Sequence, residues 1–404
     1  MQPPRLLVLQ SFNALAGAGS YLAFTAAAST WSSGGWGPRE VGFGGMAANL
    51  CYAGLVAQGG SLSDRWGRAR TAILGAVLAA LGLVLAIYPG GPGWACVGLM
   101  FAFAGTAFFF PGNVGLFSDA RGEGTAAAPP LHAKVSSYNI GWAGGNLVGF
   151  GTAWLLSSLG LPMWSSFALA VAAFASIALA LWRWRSLPPS PPAAEGDRAS
   201  HPALPRLTFM ARVALGIYCC LGMAFIGLIE NSLVQDGLAE ERAHALAVAG
   251  LTAYALGYVA TFWVLGRWDG WILRPWIGLA LQASVPVAAL MVLAAGQLHW
   301  HGTPVIFACG LVLGLAYGAV YTPSIYYSLR LPTGAARAAS LHETALGIGS
   351  TIGPALAGLF IAWFISAHAS TGLAALGGWM LLVSAVLLAW QAVLIPGARR
   401  LGAG

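Results

Sequence analysis

Apolar residues in this chain come in long unbroken runs, not in the short alternating stretches of a half-buried sheet. Twelve such runs are separated by brief polar breaks, at about 6–28, 41–61, 71–88, 94–117, 136–159, 163–182, 207–229, 244–265, 274–295, 303–328, 338–365 and 371–395. Each approaches the roughly 20 residues with which an α-helix crosses the hydrocarbon core of a bilayer. Backbone facing lipid must satisfy its own hydrogen bonds, as a helix does; a β-barrel does so only with short alternating strands. The pattern therefore predicts an all-α polytopic membrane protein with twelve transmembrane helices. The first run begins after Arg5 and continues to about Ala28, long enough to be an uncleaved first helix and not a signal peptide.

Composition agrees. The 404 residues are 58% hydrophobic and 8% charged, with a mean hydropathy of +0.74, whereas soluble domains are about 25% charged. The net charge of +7 does not point to nucleic acid, because the basic residues sit at the membrane edges with no patch of interleaved aromatics. They are topology signals. With the N-terminus placed in the cytoplasm, 17 of the 19 Lys and Arg residues fall on the cytoplasmic side, and only Arg39 and Arg242 fall outside. That asymmetry predicts cytoplasmic N- and C-termini. The five cysteines all lie within apolar runs and have no metal spacing.

The longest polar stretch, 186–206, contains Leu187-Pro188-Pro189-Ser190-Pro191-Pro192 and reads as an extended cytoplasmic linker. It separates an N-terminal six-helix bundle, 1–185, from a C-terminal one, 207–404. The two echo each other: Gly145 and Gly149 in the fifth run recur 204 residues later as Gly349 and Gly353, and Pro111 has a counterpart in Pro323.

One break is unusually dense. Gly60-Ser61-Leu62-Ser63-Asp64-Arg65-Trp66-Gly67-Arg68-Ala69-Arg70 holds four charges, with glycines able to take turn conformations closed to other residues. The pattern Gly-x-Leu-x-Asp-Arg-x-Gly-Arg-x-Arg resembles the signature between the second and third helices of major facilitator superfamily transporters. The resemblance implies two pseudo-symmetric six-helix bundles alternating about a site near the bilayer midplane. It also implies a conformational latch: Asp64 docks on the start of the eleventh helix near Ala338, Arg68 pairs with Asp119, and Arg121 lies near both. Gly60, Arg65, Gly67 and Arg70 complete this set. The run Gly349-x-x-x-Gly353-Pro354-x-x-x-Gly358 resembles the superfamily's antiporter signature, which belongs to the fifth helix. There this chain has Gly145-x-x-x-Gly149-Phe150, without the proline, so close helix packing is the use expected of the glycines.

No Lys or Arg lies deep in a run, which argues against an anionic substrate. Neutral candidates for the cavity are Asn13, Asn113, Tyr138, Asn139, Trp142, Asn146, Tyr218, Tyr317 and Tyr321, joined by Tyr21, Asn49, Tyr52, Tyr254, Tyr258 and Gln282. Asn139, Trp142 and Asn146 recur at helical spacing and are expected on one face. Such walls suit a neutral polar or amphipathic molecule, and ring faces can hold a cation. Glu343, His342 and Glu230 are the candidates for carrying protons; Glu343 is alternatively a brace at the start of its helix, and Glu230 an outer gate. Asp236, Glu240 and Glu241, and likewise His299 and His301, are expected in solvated loops.

No phosphate-binding Gly-x-x-x-x-Gly-Lys, His-Glu-x-x-His or Gly-x-Ser-x-Gly motif occurs, so no enzyme activity, cofactor or metal is expected. These features predict a monomeric secondary transporter of a small neutral or amphipathic solute, with protons as a candidate coupling ion. It is expected in a prokaryotic plasma membrane, given a single lysine among the basic residues. The rival reading is a non-transporting membrane sensor or assembly factor.

Overall fold

A computed structural model of the chain describes residues 6–88, 90–119, 130–186, 202–331, 335–368 and 371–399. Among them the chain is helical throughout. The first bundle holds α1 (Leu6–Ser33), α2 (Pro38–Trp66), α3 (Arg68–Ile87), α4 (Pro92–Asp119), α5 (Leu131–Ser158) and α6 (Trp164–Trp182). The second holds α7 (Leu204–Gln235), α8 (Glu240–Arg267), α9 (Pro275–Gln282), α10 (Val285–Gln297), α11 (Thr303–Arg330), α12 (Ala335–His368) and α13 (Gly372–Arg399).

Two differences from the sequence-based expectation go beyond a shift of helix ends. The ninth run, expected as one helix, is broken into α9 and α10. Pro286 stands in the first turn of α10 and has no N–H to return to the Gln282 carbonyl. The charged turn is also tighter than expected. Helix α2 runs on to Trp66 and α3 begins at Arg68, so Gly60 is helical and the reversal is made at Gly67 alone, at φ 110°. A side chain there would meet the steric penalty that glycine escapes.

Ten spans are long and apolar enough to cross a membrane by length and composition, with α9 and α10 counting as one span. The two long helices that fall short are α2 and α5. They are also the helices that pack along the other bundle, α2 against α12 and α5 against α8. Asn49 and Tyr52 of α2, and Tyr138, Asn139 and Asn146 of α5, are buried in protein, which is where polar residues are tolerated in a membrane.

The internal echo is visible in packing. A methyl group at Gly145 would overlap the Ala14 carbonyl of α1, and one at Gly149 would lie 2.6 Å from the Ala18 carbonyl. In the second bundle, Gly349 presses in the same way on Gly216 of α7, and Gly353 on Cys220. Helix α5 thus sits on α1 as α12 sits on α7, each through two small residues four apart. Pro111 and Pro323 lie inside α4 and α11.

Candidate functional site

Between the bundles lies a cavity enclosing about 940 Å³ of empty space, its mouth included. Its wall is drawn at helical spacing from one face of each contributing helix: Phe103, Thr106 and Phe110 of α4; Tyr138, Trp142 and Asn146 of α5; Glu343, Leu346 and Ser350 of α12. Helices α1, α2, α7, α8 and α11 supply the rest, including Tyr21, Asn49, Tyr52, Tyr254, Tyr317 and Tyr321.

Trp142 is the hub. From the first bundle, its indole ring packs on Tyr258 (5.6 Å between centroids), Phe262 (5.7 Å), Tyr317 (6.4 Å) and Tyr321 (5.3 Å) of the second. Its indole nitrogen, both amide atoms of Asn146 and the Ser20 hydroxyl are buried without a protein hydrogen-bond partner, and all three side chains line the cavity. Gly17 leaves Asn146 its room, since a methyl group there would lie 2.6 Å from the amide oxygen.

One acid faces this space. The Tyr52 hydroxyl of α2 donates to the Glu343 carboxylate of α12 at 2.7 Å, joining the two bundles across the cavity. Among the described lining residues there is no Lys, Arg, His or second carboxylate. The neighbouring His342 points away: its Nδ1 meets the Ser324 hydroxyl at 2.9 Å, and its ring stands perpendicular to Tyr321 with centroids 4.6 Å apart. Arg212 is drawn into the same side of the second bundle, donating through Nε to the Ser328 hydroxyl at 3.0 Å.

Glu230 lies elsewhere, near the end of α7. It forms a buried pair with His244 of α8, 2.8 Å from carboxylate to Nδ1. The next residue, Asn231, donates to the Trp36 carbonyl at 2.9 Å and so ties the bundles on the face carrying the α1–α2 connection.

No protein-family model and no curated protein matches this sequence. Solved structures do. The transporter FucP in its outward conformation is 14% identical, with 96% of this chain and 98% of that one covered, at a TM-score of 0.60. A bacterial homolog of the human lysosomal transporter Spinster, inward-facing, is 16% identical over 98% and 95%, at 0.63. The nucleoside transporter NupG is 14% identical over 98% of both chains, at 0.60. This chain has the major facilitator superfamily fold.

Within that fold, the structure brings Tyr138, Trp142, Asn146, Tyr317, Tyr321 and Glu343 together on the cavity wall. Six other residues expected there from the sequence lie outside the lining, among them Tyr258, whose ring packs on Trp142, and Gln282 of α9. Asn13 spends its amide N–H on the Tyr138 carbonyl at 3.0 Å, and Tyr218 donates to the Leu313 carbonyl. Asn113 and Asn139 are buried with no protein partner for either amide atom. Asn139 is only about 20° from Asn146 in helical phase at 3.6 residues per turn, so spacing along α5 does not account for its absence from the wall.

Around the charged turn, Asp64 and Arg65 are exposed, and Asp64 makes no ion pair among the described residues. Arg68 donates to the Gly115 carbonyl in the last turns of α4, and Arg70 donates through Nε to the Arg185 carbonyl at 2.9 Å. The Asp119 side chain, Arg121 and the side chain of Ala338 lie outside the described residues. Ser20, Thr106 and Ser350 also line the cavity, and the sequence does not single them out. Their hydroxyls give little signal, because Ser and Thr in helices routinely bond back to their own helix, as Thr106 does to Phe103 at 2.9 Å.

Proposed function

We propose that this chain is a secondary transporter that carries a small neutral or amphipathic organic solute through the central cavity by alternating access. The carrying observation is the cavity itself: it is walled by both bundles, and its partnerless indole and amide groups sit between them. A site shared in this way can be exposed to either side by rocking one bundle against the other. Glu343 is the proton-carrying candidate, as the one acid on the described wall, and the turn at Asp64 and Arg68 is the candidate latch. The chain supplies both walls itself, consistent with a monomer. The charge asymmetry of the connections supports termini on the cytoplasmic side, and the single lysine among the basic residues supports a prokaryotic plasma membrane.

Spin-label distances test this whatever the substrate. In a cysteine-free background reconstituted in nanodiscs, Trp66→Cys with Trp268→Cys reports one face, and Leu159→Cys with Trp300→Cys the other; all four are exposed. Alternating access predicts two distance populations at each face, shifting in opposite senses with pH or ligand. A single invariant distance at both faces would support a sensor or assembly factor instead.

A further inference from the structure

On the transporter reading above, the charge balance of the cavity wall points to a class of substrate. We propose that the site takes a monovalent organic cation with an apolar body, such as an amine or a quaternary ammonium or phosphonium. Its positive charge is held between the Glu343 carboxylate and the rings around it.

Ten of the 22 lining residues are aromatic: six tyrosines, three phenylalanines and Trp142. Ring faces attract cations, most strongly when water is excluded. The wall carries one carboxylate and no basic group among the described residues. Its carboxylate accepts a hydrogen bond from Tyr52, but a phenol does not cancel a charge, and a buried ionised acid is unfavourable until a cation pairs with it. The groups facing Glu343 from the surrounding helices are Tyr52 of α2, Tyr138 of α5, Cys219 of α7 and Tyr321 of α11. None of them brings a positive charge. The two basic side chains among the described residues in this part of the second bundle are directed elsewhere, Arg212 to Ser328 and His342 to Ser324. The countercharge is therefore left to the ligand.

The polar groups that remain do not suit the alternatives. An anion would meet no fixed cation in exchange for its lost water. A polyol would leave Glu343 without a countercharge, although Tyr21, Tyr138, Tyr254, Tyr317 and Tyr321 also line the wall. Ser20, Asn146 and the Trp142 N–H carry no protein hydrogen bond and, with those phenols, can orient a polar group on a largely apolar molecule.

Tritiated tetraphenylphosphonium is the probe, measured by scintillation proximity on the full chain in nanodiscs at fixed pH, with neutral triphenylphosphine oxide as the uncharged comparison. Saturable binding of the cation, at least ten-fold tighter than that of the oxide, is expected. Glu343→Gln should lose at least ten-fold in cation affinity and keep its affinity for the oxide, which also shows that the variant is folded. Glu343→Asp, should Glu343→Gln not fold, is expected to retain the preference for the cation. Tyr52→Phe removes the competing phenol and should leave cation binding equal or tighter, whereas a merely structural hydrogen bond would weaken both ligands alike. Equal affinity for cation and oxide, or unchanged cation binding in Glu343→Gln, overturns the proposal. Either result can occur while the spin-label distances still alternate, in which case the transporter reading stands. Cation binding with invariant distances leaves the cation site standing and removes the transporter reading.

Discussion

Asp236 illustrates at the scale of one residue what a linear reading misses. It follows the last turn of α7 in a polar connection, where the sequence predicts a solvated loop. In the structure its side chain is fully enclosed. One carboxylate oxygen accepts the backbone N–H groups of Gly372 and Leu373 at the start of α13, and the other meets Nε2 of His301 at 2.9 Å. An acid at a helix N-terminus is favourably placed against the dipole. Burial nevertheless outweighs these partners and raises its pKa above the ordinary 3.8. The folded state then holds this proton to higher pH than the unfolded chain does. Its contribution to stability is fully present below the unfolded pKa and falls as pH rises through the folded one. Asp236→Asn keeps an acceptor and removes the titration. The melting-temperature difference between Asp236→Asn and the parent should therefore grow in the variant's favour as pH rises above the unfolded carboxyl value of about 3.9. A difference independent of pH would mean that the burial has no electrostatic consequence. His301 is likewise expected in a surface loop, and no sequence rule pairs it with an acid 65 positions away.

At the scale of elements, small residues decide how closely helices approach, and they do two separable jobs. Gly145, Gly149, Gly349 and Gly353 hold helices together within a bundle, whereas Gly42 and Gly358 let α2 and α12 meet between bundles. A methyl group at Gly358 would overlap the Pro38 carbonyl and lie 3.2 Å from the Cα of Gly42; at Gly144 it would meet nothing within 4 Å. Gly358→Ala should therefore cost about 1–3 kcal/mol, as overpacking does, while Gly144→Ala should leave thermal stability in detergent unchanged. Equal melting temperatures for the two would refute the close packing of α2 on α12. The glycine pairs themselves can be read from their spacing, but their partners cannot. Spacing identifies a face of a helix, and which neighbour covers that face is settled by how the helices cross. The break in the ninth span is legible in principle from Pro286, yet the apolar run hides it, because hydropathy records composition and not backbone donors.

At the scale of the whole molecule, the faces of the bundle are distinguished by charge. The α2–α3 turn carries Asp64, Arg65, Arg68 and Arg70, and the opposite connections carry Arg39 and Arg242. The positive-inside rule predicts that the turn is cytoplasmic. In intact cells a membrane-impermeant maleimide should therefore label Leu159→Cys and spare Trp66→Cys until the membrane is permeabilised. The reverse pattern would invert the topology. Asp64 sits in the last turn of α2, at the negative end of its dipole, where an acid is locally unfavourable; propensity does not account for its place there.

Hydropathy alone determined that the chain is a bundle of membrane helices, because water and lipid impose that choice on any sequence with these runs. Charge asymmetry predicted its orientation, and the spacing of small residues foretold its internal duplication. Which polar side chains share one space was decided only by the tertiary structure. Asn139 and Asn146 look alike along the chain, and so do Tyr218 and Tyr317, yet one member of each pair lines the cavity and the other is buried away from it. The meeting of Tyr52 with Glu343, 291 positions apart, depends on two bundles crossing at a particular angle, a property that no local run of residues contains.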